Sequence, residues 1–287
     1  MVTQKECSPL CNPSKILSFN NGYENLIFCE ICSLLKKEDK SLELKVINLP
    51  KFNFDLEEFI STKSYKNHIL ECKSQIKKIL SITKTKPNKV IDFGCGYGSF
   101  MFACKDLGLT VHGYDINKNF TENLAKYFKT FESKKNLLNE DNINSYDLIF
   151  CRKVLTLSPN LYDDFKIFDQ LLSSSGVLVI LDHVKNFSKF KSIITQNNNN
   201  TVLLTTQAIE FYANNFGLKK IYLKNDFGDI FSIFMRSQKI DYKGKISLNL
   251  LIKLEKFYFF FMFLSKVKKI IKNIYYGFKN KKSSFTK

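Results

Sequence analysis

The chain has 287 residues, 44% of them apolar, and its 44 Lys and Arg against 27 Asp and Glu give a formal charge of +17. This is room for one domain of ordinary size with a core of its own, plus appendages. Arg occurs only at Arg152 and Arg236, which disfavours an Arg-fork nucleic-acid reader, and eight cysteines with no apolar leader after Met1 argue for reduced thiols or metal over a disulfide framework.

In chain order, the first pattern is Cys7-x3-Cys11, followed after 17 residues by Cys29-x2-Cys32. The two thiol pairs bracket a turn-rich stretch and a short strand, Tyr23 to Phe28, an arrangement that resembles a zinc-ribbon half-site. Zinc takes four thiolates tetrahedrally, and a pair spaced by two to four residues reaches one ion from a single turn. So small a segment has little core, and ligation by Cys7, Cys11, Cys29 and Cys32 would supply folding free energy. Four reduced cysteines without an ion are the alternative. Residues 43–63 are irregular. Tyr65, Ile69, Cys72, Ile76, Ile79 and Leu80 then recur at helical spacing, with His68 and Cys72 read as packing residues, and Pro87-Asn88 ends the unit.

Val90-Ile91-Asp92-Phe93 predicts a buried strand, Gly94-Cys95-Gly96-Tyr97-Gly98 a glycine-rich turn, and Ser99 onwards a helix, before a second strand ending on Asp115. Glycines let main-chain N–H groups approach a ligand more closely than a Cβ permits. The helix start adds unpaired donors and a positive dipole end. An acid at the neighbouring strand tip is placed to accept from two ribose hydroxyls, so the stretch predicts a nucleoside site. A dinucleotide fingerprint, G-x-G-x-x-G, fits at Gly94 and Gly96 but meets Ser99 at its last glycine. A nicotinamide or flavin enzyme is therefore the weaker reading, and a degenerate Rossmann-like domain without ligand is another. The stretch as it stands, D-x-G-x-G-x-G, resembles motif I of class I S-adenosylmethionine (SAM)-dependent methyltransferases. The resemblance implies that Gly94, Gly96 and Gly98 pass beside the methionine part of SAM, that Asp92 helps hold its amino group, and that Asp115 binds the ribose. Cys95 in the turn and Cys151 at the end of the fourth strand are counted with them as cofactor-binding positions.

Beyond Asp115, Asn123–Phe128 predicts a helix, Lys129–Glu132 a weak strand, and Asp141 or Asn142 a contact to adenine. Ser145–Phe150 matches the family's fourth strand, with Cys151-Arg152-Lys153 at its carboxyl end, where open parallel sheets bind ligands. A helix over Leu161–Leu172, a turn at Gly176 and a buried strand at Val177–Leu181 follow. Asp182 and His183 leave that strand on the cleft side, and residues 186–200 form a low-complexity loop or lid. Thr205 or Thr206 caps a helix that Gly217 stops. Ile221–Leu223 and Ile230–Met235 close the sheet as a hairpin, so that the resemblance covers roughly residues 60–237.

Residues 239–287 hold 13 Lys against Asp241 and Glu255, a net +11. Phe257–Leu264 is apolar but well short of the ~20 residues that span a bilayer. Aromatic residues beside Lys clusters over 246–278 suit a helix lying on an anionic membrane surface, or one docked on protein. The expected architecture is α/β, a Rossmann-like class I methyltransferase with a mostly parallel seven-stranded sheet. It has three parts: a zinc-ribbon-like module at 1–45, the methyltransferase domain at 46–238 and a basic, aromatic helical tail at 239–287.

An alcohol acceptor must lose its proton as it attacks the methyl group. His183 is the candidate base, with Asp182 and Asp163 as weaker ones. No N/D-P-P-Y stretch follows the fourth strand, Cys151 lacks the context of an RNA cytosine-5 nucleophile, and His183-Val184-Lys185-Asn186 departs from the E-H-x-x-Y of sugar C-methyltransferases. The resemblance, which extends to sugar methyltransferases of glycan pathways with an N-terminal zinc-binding module, therefore implies O-methylation. Its acceptor would be a sugar, nucleotide-sugar or surface-glycan intermediate of polysaccharide biosynthesis, handled by a cytoplasmic protein resting on the inner face of the membrane. An RNA methyltransferase and a non-catalytic SAM-binding module are the alternatives.

Overall fold

The computed structural model describes residues 8–11, 16–20, 25–37, 56–183, 202–226 and 229–236. Cys7, the stretch 186–200 and the tail from 239 onward, with its membrane-surface segment 246–278, lie outside the described residues.

Three short strands come first, β1 (Ile16–Asn20), β2 (Asn25–Cys29) and β3 (Leu35–Lys37). Then follow α1 (Leu56–Ser61) and α2 (Lys63–Thr83). Thr62 starts α2 by accepting from the Tyr65 N–H, and Tyr65, Cys72, Ile76 and Ile79 form its buried stripe. His68 lies off that stripe and is exposed, so it does not pack as the periodicity suggested. Strand and helix then alternate through β4 (Lys89–Phe93), α3 (Ser99–Asp106), β5 (Thr110–Tyr114), α4 (Lys118–Leu124), β6 (Lys129–Phe131), α5 (Lys134–Leu137) and β7 (Tyr146–Arg152). Helix α4 begins upstream of the expected Asn123, because the Asn117 side chain accepts from the Asn119 N–H and caps it there.

A short 3-10 turn (Leu155–Leu157) leads to α6 (Leu161–Leu171) and β8 (Leu172–His183). Gly176 sits inside β8, not at a turn; a Cβ there would come within 2.7 Å of Leu172 Cδ2. The rest is β9 (Val202–Leu203), α7 (Thr206–Asn215), β10 (Leu218–Asp226) and β11 (Asp229–Arg236).

Seven strands form one sheet in the order β10-β11-β8-β7-β4-β5-β6. Strands β4 to β8 pair in parallel, and β11 is reversed against both its neighbours, β8 and β10. This is the mostly parallel, Rossmann-like sheet expected. Chain direction across the sheet switches between β4 and β7, and ligands of such sheets bind at the carboxyl ends there. The central strands are buried on both faces. Val90, Leu148, Phe150 and Val179 face α2 and α3, where Phe100 stacks on Phe150 with centroids 3.8 Å apart. Ile91, Phe93, Ile149 and Ile180 face α6 and α7.

The second sheet, β1-β2-β3-β9, takes its last strand from far along the chain. Thr205 Oγ1 reinforces the join by donating to Ser33 O at 3.0 Å. Cys11, Cys29 and Cys32 share one buried cluster with Phe165 and Tyr212 of the main domain. Among the described residues, no helix is long and apolar enough to cross a membrane.

Candidate functional site

Asp115 follows the end of β5, and its carboxylate turns back onto the glycine turn. Oδ2 accepts from the Gly96 N–H at 2.9 Å and Oδ1 from the Asn117 N–H at 2.8 Å. Burial raises the Asp115 carboxyl above its ordinary range, and these two donors draw it part of the way back. The Gly94 and Cys95 N–H groups both donate to Tyr114 O, at 2.7 and 2.9 Å, which ties the turn to the tip of β5.

The three turn glycines all have positive φ but for different surroundings. A Cβ on Gly94 would lie 2.1 Å from Val154 Cγ2, and one on Gly98 would lie 2.6 Å from Leu124 Cδ2. One on Gly96 would meet nothing within 4 Å. Gly94 and Gly98 are therefore glycine for packing, whereas Gly96 opens onto empty space beside a carboxylate. Tyr97 fastens the turn from outside. Its ring packs against Phe59 and Phe120, each 4.8 Å away between centroids, and its carbonyl accepts from the Tyr65 hydroxyl at 2.6 Å.

Asp92 lies on the face of β4 toward α2 and α3 and is 3% exposed. Its carboxyl is pushed up to about 7, chiefly by burial, with the Arg152 guanidinium drawing it down. No hydrogen bond to it is found among the described residues, so a ligand ammonium would complete its surroundings. Arg152 ends β7, donating from Nη2 to Ser99 Oγ at 3.0 Å and from Nη1 to Cys72 Sγ at 3.5 Å.

On the other side of Arg152 a cavity of about 600 Å³ opens between α2, the ends of β7 and β8, and the β10–β11 hairpin. His68, Lys78, Arg152 and Lys153 line it, against Glu71 and Asp229. The β8–β11 register sets Asp229 opposite His183, and Asp229 Oδ1 is hydrogen-bonded to the imidazole Nδ1. An ionised carboxylate there holds the proton on Nδ1 and leaves Nε2 as the acceptor.

The other candidate acids and histidine have structural partners. Asp182 is buried and accepts from the Leu155 N–H at 2.9 Å, the Thr156 hydroxyl at 3.1 Å and the His183 N–H at 2.7 Å, so it pins the turn below the cleft. Asp163 is exposed and accepts from Asn160 Nδ2 at the start of α6, at 2.8 Å. His112 is pushed down to about 4 by burial and by Lys89 and Lys129, and its Nδ1 shares a hydrogen bond of 2.8 Å with the Tyr146 hydroxyl.

One expectation needs correction and another narrowing. Asn142 is buried and bonded to Leu137 O, the Tyr146 hydroxyl and Lys89 Nζ, while the Asp141 carbonyl accepts from the same lysine. Lys89 is the first residue of β4, so both lie at the amino end of the sheet, opposite the glycine turn, and not beside a nucleoside. The Cys95 and Cys151 thiols point into the two cores, at 6% and 0% exposure, and burial pushes both well above the ordinary thiol range. Only the main chain of either residue is left to meet a ligand. Sequence reasoning passed over Ile116, which is 51% exposed directly after Asp115, and Asp229. An apolar residue directly after a strand-end acid was the available signal for the first; the second had none.

Away from the cleft, Cys11, Cys29 and Cys32 bring their Sγ atoms within 4.8 Å of one another, all buried. The Ser33 N–H donates to Cys29 O at 2.8 Å and the Cys29 N–H to Leu34 O at 2.9 Å, closing the tight turn that carries Cys29 and Cys32. Thiolates around one tetrahedral zinc stand about 3.8 Å apart, so these three fit such an ion.

A family model described as "Methyltransferase domain" matches residues 65–227. No curated protein matches the chain in sequence. Among solved structures, the PH0226 protein from Pyrococcus horikoshii OT3 is similar at 15% identity and a TM-score of 0.50, over 62% of this chain and 93% of that one. A SAM dependent methyltransferase from Archaeoglobus fulgidus is similar at 15% identity and a TM-score of 0.47, over 62% of this chain and 99% of that one. The plantazolicin methyltransferase BpumL, in complex with SAH, is similar at 16% identity and a TM-score of 0.46, over 69% of this chain and 97% of that one.

Proposed function

The chain belongs to the methyltransferase-domain family, as a SAM-dependent methyltransferase, and from that premise we propose that its acceptor is a hydroxyl of a sugar, nucleotide-sugar or surface-glycan intermediate. One observation carries the cofactor half of this reading: Gly96 opens onto empty space beside a carboxylate that already accepts from its N–H. SAM supplies an electrophilic methyl group on a sulfonium. The chain's own residues bind and orient: Asp115 toward ribose hydroxyls, the Gly96 main chain along the methionine part, Asp92 toward an ammonium, and Ile116 against the flat base.

Holding acceptor and methyl in line accounts for most of the rate, roughly 7–11 kcal/mol. A base that removes the hydroxyl proton adds about 10²–10⁴-fold. We assign that part to His183, with Asp229 as the residue that positions it. The depth and raised pKa of Cys151 argue against a thiolate that attacks a pyrimidine ring, the route of an RNA cytosine-5 enzyme.

Structural zinc is part of the same proposal, held by Cys11, Cys29 and Cys32 with Cys7 as the fourth ligand. With four thiolates no position is open for chemistry, and the ion's part is folding. Metal analysis of freshly purified protein should find about one equivalent of zinc; none would remove it from the reading. Association of the tail with an anionic inner-membrane surface is proposed from its composition alone.

Titration of the full chain with S-adenosylhomocysteine tests the cofactor half. Binding that survives in both Gly96→Arg and Asp115→Ala would end it. Transfer of a labelled methyl group from SAM into fractionated cell extract tests the acceptor half: label in the glycan fraction supports it, and label confined to RNA overturns it.

A further inference from the structure

Four cationic side chains, Lys78, Arg152, Lys153 and Lys224, line the cavity beside the end of β7. Around the cavity, no ion pair is found for Lys78, Arg152 or Lys153 among the described residues. Lys78 Nζ lies 4.9 Å from the centroids of both Tyr222 and Phe231, and Arg152 is held by a hydroxyl and a thiol. Asp229 is already engaged by His183, which leaves Glu71 as the acid of the cavity lining, while Asp92 acts on Arg152 from the other side.

Two further features point to a ligand. Lys153 has φ +58°, a conformation that side-chain-bearing residues rarely adopt, and its N–H is fixed to Leu181 O at 2.8 Å. The strained backbone sets a lysine at the cavity wall. Gln75, also lining the cavity, has its Oε1 buried with no hydrogen-bond partner. A buried acceptor of this kind is destabilising until a donor reaches it.

We infer that this cavity receives a hydroxylated compound bearing an anionic group, a phosphate or a carboxylate. Its charge lies against Lys78, Arg152 and Lys153, and one of its hydroxyls bonds to the Gln75 amide, whose Oε1 the protein leaves unpartnered and which a turn about its last bond brings to the cavity. A volume of about 600 Å³ is that of a small-molecule site. Arg152 joins the cavity wall to Ser99 at the start of α3, and Asp229 joins it to His183. That this compound is the methyl acceptor rests on the methyltransferase reading; that the cavity binds an anion does not.

Calorimetric titration of the full chain with glucose 1-phosphate, glucuronate and glucose tests the inference, with S-adenosylhomocysteine run in parallel. At least one of the two anions should bind tenfold or more tightly than glucose, and the tighter one identifies the group as phosphate or carboxylate. The Lys78→Gln/Lys153→Gln double variant should weaken that anion about tenfold and leave S-adenosylhomocysteine unchanged. Gln75→Leu should weaken the sugar anion a few-fold without affecting inorganic phosphate. Anion binding equal in the double variant and the original chain would overturn the inference, because the basic tail would then be the binder. So would equal affinity for glucose, or a single-stranded oligoribonucleotide that binds more tightly than either sugar through the same two lysines. Loss of S-adenosylhomocysteine binding alone, with lysine-dependent anion binding intact, would sink the methyltransferase reading and leave the cavity's ligand class standing.

Discussion

The glycine turn and the basic cavity share Arg152 as a wall, yet the first is drawn from residues 92–117 and the second from α2, β7, β8, β10 and β11. The turn is made by neighbours in sequence: a strand, a bend that only positive φ permits, a helix start and an acid one strand over. The cavity is made by sheet register and helix packing, which bring together residues far apart in the chain. The partners His183 and Asp229 are separated by 46 positions. A nucleoside site can therefore be written in one short run of chain, while the pocket beside it is free to vary one wall at a time.

The sharpest way to break the contrast is Gly96→Arg, which fills the open space and should abolish S-adenosylhomocysteine binding at a stability cost of only about 1 kcal/mol, that of its positive φ. His183→Ala should act only on the other half. Its kcat should fall by about 10²–10⁴ with unchanged cofactor affinity, and Asp229→Asn should give a smaller loss, nearer tenfold. Equal losses of cofactor affinity in these variants would show that the two halves are not separable.

Asp92 allows a pH test. Its folded pKa, about 7, lies above the ordinary 3.8, so the folded state binds a proton that the unfolded chain has released. Stability from this group is greatest below pH 3.8, falls as pH rises toward 7, and is level above that. Asp92→Asn should remove the fall and raise stability at pH 8 relative to pH 5 by up to a few kcal/mol, since the fall runs at roughly 1.4 kcal/mol per pH unit. Binding of a ligand ammonium favours the ionised carboxylate, so S-adenosylhomocysteine affinity should rise up to about pH 7 in the original chain and be flatter in the variant. Urea denaturation and calorimetry at the two pH values check both. The smallest effects separate the glycines. Gly94→Ala drives a Cβ into Val154 and should destabilise by about 2–4 kcal/mol, whereas Gly96→Ala meets nothing and should cost about 1 kcal/mol, for its φ alone.

What could be read from the sequence follows the same division. The run from β4 to Asp115 was legible because glycine spacing, the apolar strand and the terminal acid act over single turns of chain. Cys29 and Cys32 were legible as a pair for the same reason, though nothing in the spacing announces that Cys11 joins them or that β9 completes their sheet. Asn142 was misjudged because distance along a connection does not say at which end of a sheet it emerges. The start of α4 was misplaced because apolar periodicity outweighed the cap at Asn117. Gln75 and Asp229 were invisible, since an unpartnered amide and a cross-strand carboxylate acquire meaning only once α2 and β11 are packed around a common space.

The pairing of β3 with β9 bears on how the protein can be shortened. A fragment begun at Tyr65, where the family match starts, would strip β9 of the neighbour it has in its sheet and leave the Thr205 hydroxyl without Ser33 O. Val202 and Leu204, 2% and 0% exposed in the full chain, would meet water along an unpaired edge. Such a fragment would keep every residue of the nucleoside pocket and still be prone to self-association, so poor behaviour in solution would say nothing against the chemistry.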